Sequence, residues 1–226
     1  MRIWKIFGRP FDKLRVNNLD NLKKAKNIEQ VTIFGSSHAS LDSELAKDAY
    51  EVSKKLAEAG YILVDGGGPG IMRAATMGAK SVGGKVIGVI LEADEQIHYE
   101  GRDPQNLVDI EIKAKNYVER TVALMREGQV YVVFNGGTGT ISEFGMAWGL
   151  AKLYFGHHKP LILYGKFWEN IMNTFEENML ITSQEREVYK IVDSPEGVLD
   201  AIVQFEEELE KGEHKHIKTT RGDFTN

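Results

Sequence analysis

Three short stretches concentrate the residues able to hold or turn over a small anionic ligand: Gly35-Ser36-Ser37, Asp65-Gly66-Gly67-Gly68-Pro69-Gly70 and Asn135-Gly136-Gly137-Thr138-Gly139-Thr140. Glycine lets the backbone turn sharply and bring its N–H groups close to an anion. A helix that follows points the positive end of its dipole at the same place. A phosphate at the start of a helix opening near Thr140 would meet unpaired amides and the hydroxyls of Thr138 and Thr140. The Gly-Lys-Ser/Thr ending of a triphosphate loop is missing, so a monophosphate is the expected anion.

The charged candidates near these turns are Glu143, Asp65 and Arg120. Thr140-x-x-Glu143 has the spacing of a capping box, in which the glutamate satisfies helix amides, and equally places a carboxylate beside the anion site for chemistry. Spacing alone leaves both open. Ser36 either braces its turn or borders a ligand, and Asp65 is suited to accept backbone N–H bonds. Arg120 and Arg126 lie six residues apart and share no helical face, so on spacing alone Arg120 is a surface cation like its neighbour.

Elements that alternate in type must position these turns. Apolar runs rich in β-branched residues span Val31 to Phe34, Tyr61 to Val64, Lys85 to Ile90, Val130 to Phe134 and Pro160 to Tyr164, with shorter ones at Val108 to Ile112 and Tyr189 to Val192. Between them the period is helical: Ser43 to Glu58, Ile71 to Ser81, Lys115 to Arg126, Thr140 to Tyr154, Trp168 to Leu180 and Pro195 to Lys211, with glycines at Gly60 and Gly128 marking helix ends. This succession predicts an α/β fold: a Rossmann-like, doubly wound, mainly parallel sheet with helices on both faces. Ligands of such sheets bind beyond the carboxyl ends of the strands, where all three glycine turns fall. The segment Glu92 to Asp109 has no clear period and is expected to be a long loop that supplies pocket walls.

One domain over residues 28–212 accounts for the 226-residue chain, with a basic arm at 1–27 and a polar tail at 213–226. The arm carries Arg2, Lys5, Arg9, Lys13, Arg15, Lys23, Lys24 and Lys26, and the stretch Glu206 to Glu213 is acidic; a solvated arm and a solvated helix face are expected. A net charge of −5 argues against nucleic acid as a partner. The absence of cysteine excludes disulfides, thiolate metal sites and a thiol nucleophile. No apolar run is long enough to span a membrane, and Met1 to Ile6 is too short for a signal-peptide core, so a cytoplasmic chain without membrane association is expected. The helix from Phe144 to Leu153 is apolar almost all round, which fits either a central core helix or a subunit interface.

Taken together, these motifs resemble the LOG-like family of cytokinin-activating phosphoribohydrolases and related Rossmann-fold nucleotide-binding proteins, long mislabelled lysine decarboxylases. The family shares a Pro-Gly-Gly-x-Gly-Thr-x-x-Glu signature, matched here by Asn135-Gly136-Gly137-Thr138-Gly139-Thr140-Ile141-Ser142-Glu143. Phe34-Gly35-Ser36-Ser37, Asp65 to Met72 and Glu119-Arg120 extend the likeness over roughly Val31 to Tyr164. The resemblance implies hydrolysis of the N-glycosidic bond of a nucleoside 5′-monophosphate, with Arg120 and Glu143 as the catalytic pair and no metal or organic cofactor. It makes Gly136, Gly137, Thr138, Gly139 and Thr140 the phosphate cradle, and puts Gly35, Ser36, Gly66, Gly67 and Gly68 around the nucleotide. It also implies a homo-oligomer, dimer or tetramer.

Asn135, Thr121 and Arg73 stand where the family usually has proline, lysine and glutamate. The alternative is a non-catalytic carrier or sensor of a phosphate-bearing nucleotide or cofactor, such as molybdenum cofactor. Gly156-His157-His158-Lys159-Pro160 is read as a plain connection rather than a pyridoxal phosphate site.

Overall fold

The computed structural model describes residues 28–92, 102–153 and 159–211. The basic arm, the polar tail and the middle of the Glu92–Asp109 loop lie outside the described residues. In chain order the elements are β1 (Gln30–Phe34), α1 (Glu44–Glu58), β2 (Ile62–Asp65), α2 (Ile71–Ser81), β3 (Val86–Leu91), β4 (Ile110–Ala114), α3 (Tyr117–Glu127), β5 (Val130–Val133), α4 (Thr138–Leu153), β6 (Leu161–Tyr164), α5 (Phe167–Asn178), α6 (Ser183–Arg186), β7 (Tyr189–Val192) and α7 (Pro195–Lys211).

The strands form one seven-stranded sheet in the order β4-β3-β2-β1-β5-β6-β7, with parallel pairing at every step. Its central strands are covered on both faces, which is why they read as continuous Val, Ile and Leu runs rather than as alternation. Val31 and Ile33 pack with Ala49 and Val52 of α1, Ala75 of α2 and Ile202 of α7. Phe34, Val64 and Val133 pack on the opposite side with Leu124 of α3, Phe144 of α4 and Trp168 of α5. The doubly wound expectation therefore holds, and the order of strand addition reverses between β1 and β5, where a crevice opens at the carboxyl ends of the strands.

Several boundaries shift for identifiable reasons. Helix α3 begins at Tyr117 rather than Lys115 because Asn116 caps it, its side chain accepting from Glu119 N at 2.9 Å. Gly60 lies in the left-handed region (φ +87°) past α1, as a helix-ending glycine should. Gly128 does not, having φ −73°; a Cβ there would collide with Thr32, so close approach to β1 explains it. Strand β4 starts two residues later than its sequence pattern suggests, and the four-residue α6 left no periodic signal. The acidic stretch is not wholly a solvated face: Glu206 accepts from Ile28 N at 2.6 Å and Glu208 pairs with Lys190 at 3.1 Å. Among the described residues no helix is long and apolar enough to cross a membrane.

At the crevice the three turns are fastened to one another through the backbone of Ser36. Its N–H donates to Asn135 O at 3.0 Å and its carbonyl accepts from Ile71 N at 2.9 Å. That closeness requires glycine at two neighbouring positions. A Cβ on Gly70 (φ +66°) would strike the Ser36 carbonyl, and one on Gly136 would strike Thr140 Oγ1 and Ser36 N. Gly70→Ala combines a left-handed conformation with a backbone collision, and should lower the unfolding free energy by about 1–3 kcal/mol. A urea midpoint within error of wild type would contradict this account of the turn.

Candidate functional site

A cavity of about 170 Å³ opens where β1 and β5 part. Its walls are the β1–α1 turn, Gly66 and Met72 from the β2–α2 connection, Tyr117, Arg120 and Leu124 of α3, and Gly137 to Thr140 with Glu143 of α4. Of the site residues expected from sequence, Arg120, Glu143, Gly35, Ser36, Gly66, Gly137, Thr138, Gly139 and Thr140 line it, whereas Gly67, Gly68 and Gly136 do not.

Helix α4 starts two residues earlier than its apolar period suggests. Its first i→i−4 bond runs from Ile141 N to Gly137 O at 3.0 Å, so the amides of Thr138, Gly139 and Thr140 precede the helical ladder and face the crevice. This start bears on the capping reading of Glu143. With Thr140 inside the first turn rather than at the cap, Thr140 and Glu143 cannot form a capping box. That spacing does its capping work on α6 instead, where Thr182 caps and the Glu185 carboxylate accepts from Thr182 N at 2.5 Å. Glu143 is left buried, 8% exposed, on the cavity wall.

The glycines divide into two kinds. Gly35, Gly66, Gly70 and Gly136 are closed in by the protein's own atoms, so they are needed for packing. Gly137 has open space where a Cβ would stand, and Gly139 has only the Tyr117 hydroxyl at 4.0 Å. These two present bare backbone to the cavity.

Arg120 is no surface cation. It is 7% exposed, with Nε donating to Val89 O and Nη2 to Gly66 O, each at 2.9 Å. A Cβ on Gly66 would fall on the guanidinium, so that glycine makes room for the arginine. Two donor groups are thus committed to carbonyls of β3 and of the turn after β2, and Nη1 lies 3.9 Å from Glu143 Oε1. That separation is an ion pair without a direct hydrogen bond. Burial consequently outweighs the pull of Arg120 and pushes the Glu143 carboxyl up to about 7. Asp65, fully buried on the other side of Arg120, is pushed up to about 6 by burial, opposed by bonds from Thr76 Oγ1 at 2.7 Å and Gly67 N at 2.6 Å and by the Arg120 charge.

The middle of the Glu92–Asp109 loop, on which the expected pocket wall falls, lies outside the described residues. The described part of the loop, 102–109, fastens the glycine turn: Asp103 N donates to Gly67 O at 2.9 Å and Asn106 Nδ2 to Gly68 O at 2.9 Å. Arg73 turns to this segment, 3.6 Å from Asp103, and lies outside the cavity. Thr121 is buried and donates to Tyr117 O at 3.0 Å on its own helix. Asn135 contributes its carbonyl to Ser36, which a proline would do equally well. Lys159 donates to Met125 O at 2.5 Å and Arg126 O at 3.2 Å at the far end of α3, away from the glycine turns.

Sequence reasoning missed His38, Tyr117 and Met72, all of which line the cavity. Only the position of Tyr117, one turn before Arg120, could have suggested it. Among the described residues no cluster of three metal-binding side chains occurs.

A family model described as the SLOG cluster4 family matches residues 28–195. The chain belongs to the SLOG cluster4 family. Its relatives include an uncharacterized protein of Archaeoglobus fulgidus, 29% identical over 136 residues, which cover 60% of this chain and 84% of that protein. The molybdenum cofactor binding protein of Rippkaea orientalis superposes with a TM-score of 0.58 at 24% identity, over 80% of this chain and 98% of its own. The molybdenum cofactor carrier protein of Chlamydomonas reinhardtii gives 0.59 at 22%, over 79% and 98%. DNA processing protein A of Streptococcus pneumoniae gives 0.53 at 17%, over 76% and 61%. At these identities the likeness establishes a shared Rossmann-like architecture.

The raised Glu143 carboxyl has a consequence for stability. An unfolded chain releases this proton near 4.5 and the folded one near 7, so between those values the folded state holds more protons and gains stability as pH falls. Lowering pH from 7.5 to 5.5 should therefore raise the unfolding free energy by about 2 kcal/mol through this group. Glu143→Gln should remove most of that slope, leaving the part Asp65 contributes below about 6. An identical pH profile for wild type and variant in urea unfolding would contradict the burial argument.

Proposed function

We propose that this protein hydrolyses the N-glycosidic bond of a nucleoside 5′-monophosphate, giving free base and ribose 5-phosphate, as LOG-like phosphoribohydrolases do. One observation carries the reading: the buried Arg120–Glu143 pair lies about one helical turn from the amides of Thr138 to Thr140. A 5′-phosphate on those amides leaves its ribose directed at Glu143. In the reaction the bond from C1′ to the base nitrogen breaks with its electron pair leaving on the base. Water oxygen bonds to C1′ as its proton passes to Glu143, and the base takes up a proton. The carboxylate also stabilises the positive charge that develops on the sugar ring. A carboxyl near 7 is matched to taking and returning a proton at neutral pH. Arg120 favours its ionised form and is itself held still by the Val89 and Gly66 carbonyls.

A second reading, a carrier or sensor of a phosphate-bearing nucleotide or cofactor, is favoured by one feature. Arg120 spends two of its donor groups on the protein backbone, and the usual lysine position is the buried Thr121, so the cavity holds less free positive charge than the hydrolase pattern brings. That reading keeps the phosphate cradle and drops the chemistry.

Both readings suit a cysteine-free cytoplasmic chain, and both include self-association. Ile141, 57% exposed, and Met146 stand with Gly145 and Gly149 on the outer side of α4, an apolar surface that a second copy would cover. Ile141→Arg should then reduce the mass measured by light scattering; an unchanged mass would remove this face from consideration.

The decisive experiment incubates the purified chain with AMP, GMP, CMP and UMP and assays free base and ribose 5-phosphate. Cleavage of at least one is expected, with Glu143→Gln slowing it about 10²–10³-fold while still binding the nucleotide. No cleavage of any of the four, with Glu143→Gln binding as wild type does, would overturn the hydrolase reading in favour of the carrier.

A further inference from the structure

We infer that the cavity is built for the 5-phosphoribosyl end of its ligand and leaves the base outside, so that the protein recognises 5-phosphoribosyl compounds as a class with little regard to what C1′ carries. The inference rests on the function proposed above and narrows its substrate. Size points this way first. About 170 Å³ is roughly half the lower limit of ~300 Å³ for pockets that enclose a drug-sized ligand. It holds a phosphate and a sugar, and a purine attached to them would project through the mouth.

The chemistry of the walls agrees. The polar groups on its walls suit phosphate and hydroxyl: the amides at the start of α4, the hydroxyl-bearing Ser36, Ser37, Thr138 and Thr140, the Glu143 carboxyl and Arg120 Nη1. Discrimination between bases needs donors and acceptors fixed opposite the base edge, as in sites that reject an analogue by leaving a buried polar group unpaired. Among the described residues the cavity has no asparagine, glutamine or aspartate to do this. The nearby amide of Asn106 is turned away, donating to Gly68 O at 2.9 Å.

Nor, among the described residues, does an aromatic ring inside the cavity offer a platform for a base. The Phe34 ring is 2% exposed and stacks on Tyr131 at 5.8 Å in the core. The Tyr117 ring is tied by its hydroxyl to Ser142 and the Gly139 carbonyl, which places it beside the start of α4, at the phosphate end of the cavity rather than at the base. The remaining ring, on His38, is exposed and stands at the rim rather than inside.

Isothermal titration of the full chain with ribose 5-phosphate, AMP, GMP, CMP, UMP, adenosine and inorganic phosphate tests this. Ribose 5-phosphate and the four nucleotides should bind within about tenfold of one another, the difference one neutral hydrogen bond makes. Adenosine should be weaker by about a hundredfold or more for want of the charged phosphate. Inorganic phosphate should be weaker than ribose 5-phosphate. A hundredfold advantage of AMP over ribose 5-phosphate, or of one base over the rest, would overturn the inference while leaving the hydrolase reading intact. Ribose 5-phosphate binding no better than inorganic phosphate would overturn it too. The expected binding pattern without cleavage of any nucleotide would sustain it while the hydrolase reading fails.

Discussion

A guanidinium taken out of water must be surrounded by acceptors, and the way Arg120 meets that demand organises the whole crevice. It spends Nε on β3 and Nη2 on the turn after β2, so its position is set by the sheet rather than by its own helix. Gly66 exists in that turn because any side chain would occupy the place of the guanidinium. The turn in turn is held by Asp65, Asp103 and Asn106. What the cavity receives from this framework is one remaining nitrogen, placed too far from Glu143 for a direct bond and near enough to influence its charge.

That looseness sets the state of the carboxyl. A tight bidentate pair would hold the carboxylate well ionised and occupy its lone pairs. At 3.9 Å the burial of Glu143 dominates instead, and the carboxyl sits near neutrality with space beside it for a hydroxyl or a water. The amides that the proposed function assigns to a phosphate come separately from α4, whose first turn leaves three of them ahead of its first ladder bond. Fold and site meet at Ser36, whose backbone ties the three turns together.

Much of this was legible in the sequence, for physical reasons. Buried parallel strands and amphipathic helices leave periodic patterns, and these gave the architecture and the coincidence of glycine turns at strand ends. Arg120 was legible only through family resemblance, because nothing in helical spacing tells a buried arginine from an exposed one. Its partners are carbonyls at residues 66 and 89, distant in sequence and without side-chain signature. Likewise whether Glu143 belongs to a capping box depended on a two-residue difference in where α4 begins, finer than apolar periodicity resolves. The separation of packing glycines from ligand-facing ones needed the three-dimensional neighbours of each.

The central claim is that phosphate and sugar lie in one line from the α4 amides to Glu143. A crystal structure of the Glu143→Gln variant with AMP tests it most directly. The account predicts phosphate oxygens bonded to the amides of Thr138, Gly139 and Thr140, with C1′ facing residue 143. A nucleotide bound with its phosphate elsewhere, or with its sugar turned away from residue 143, would contradict it.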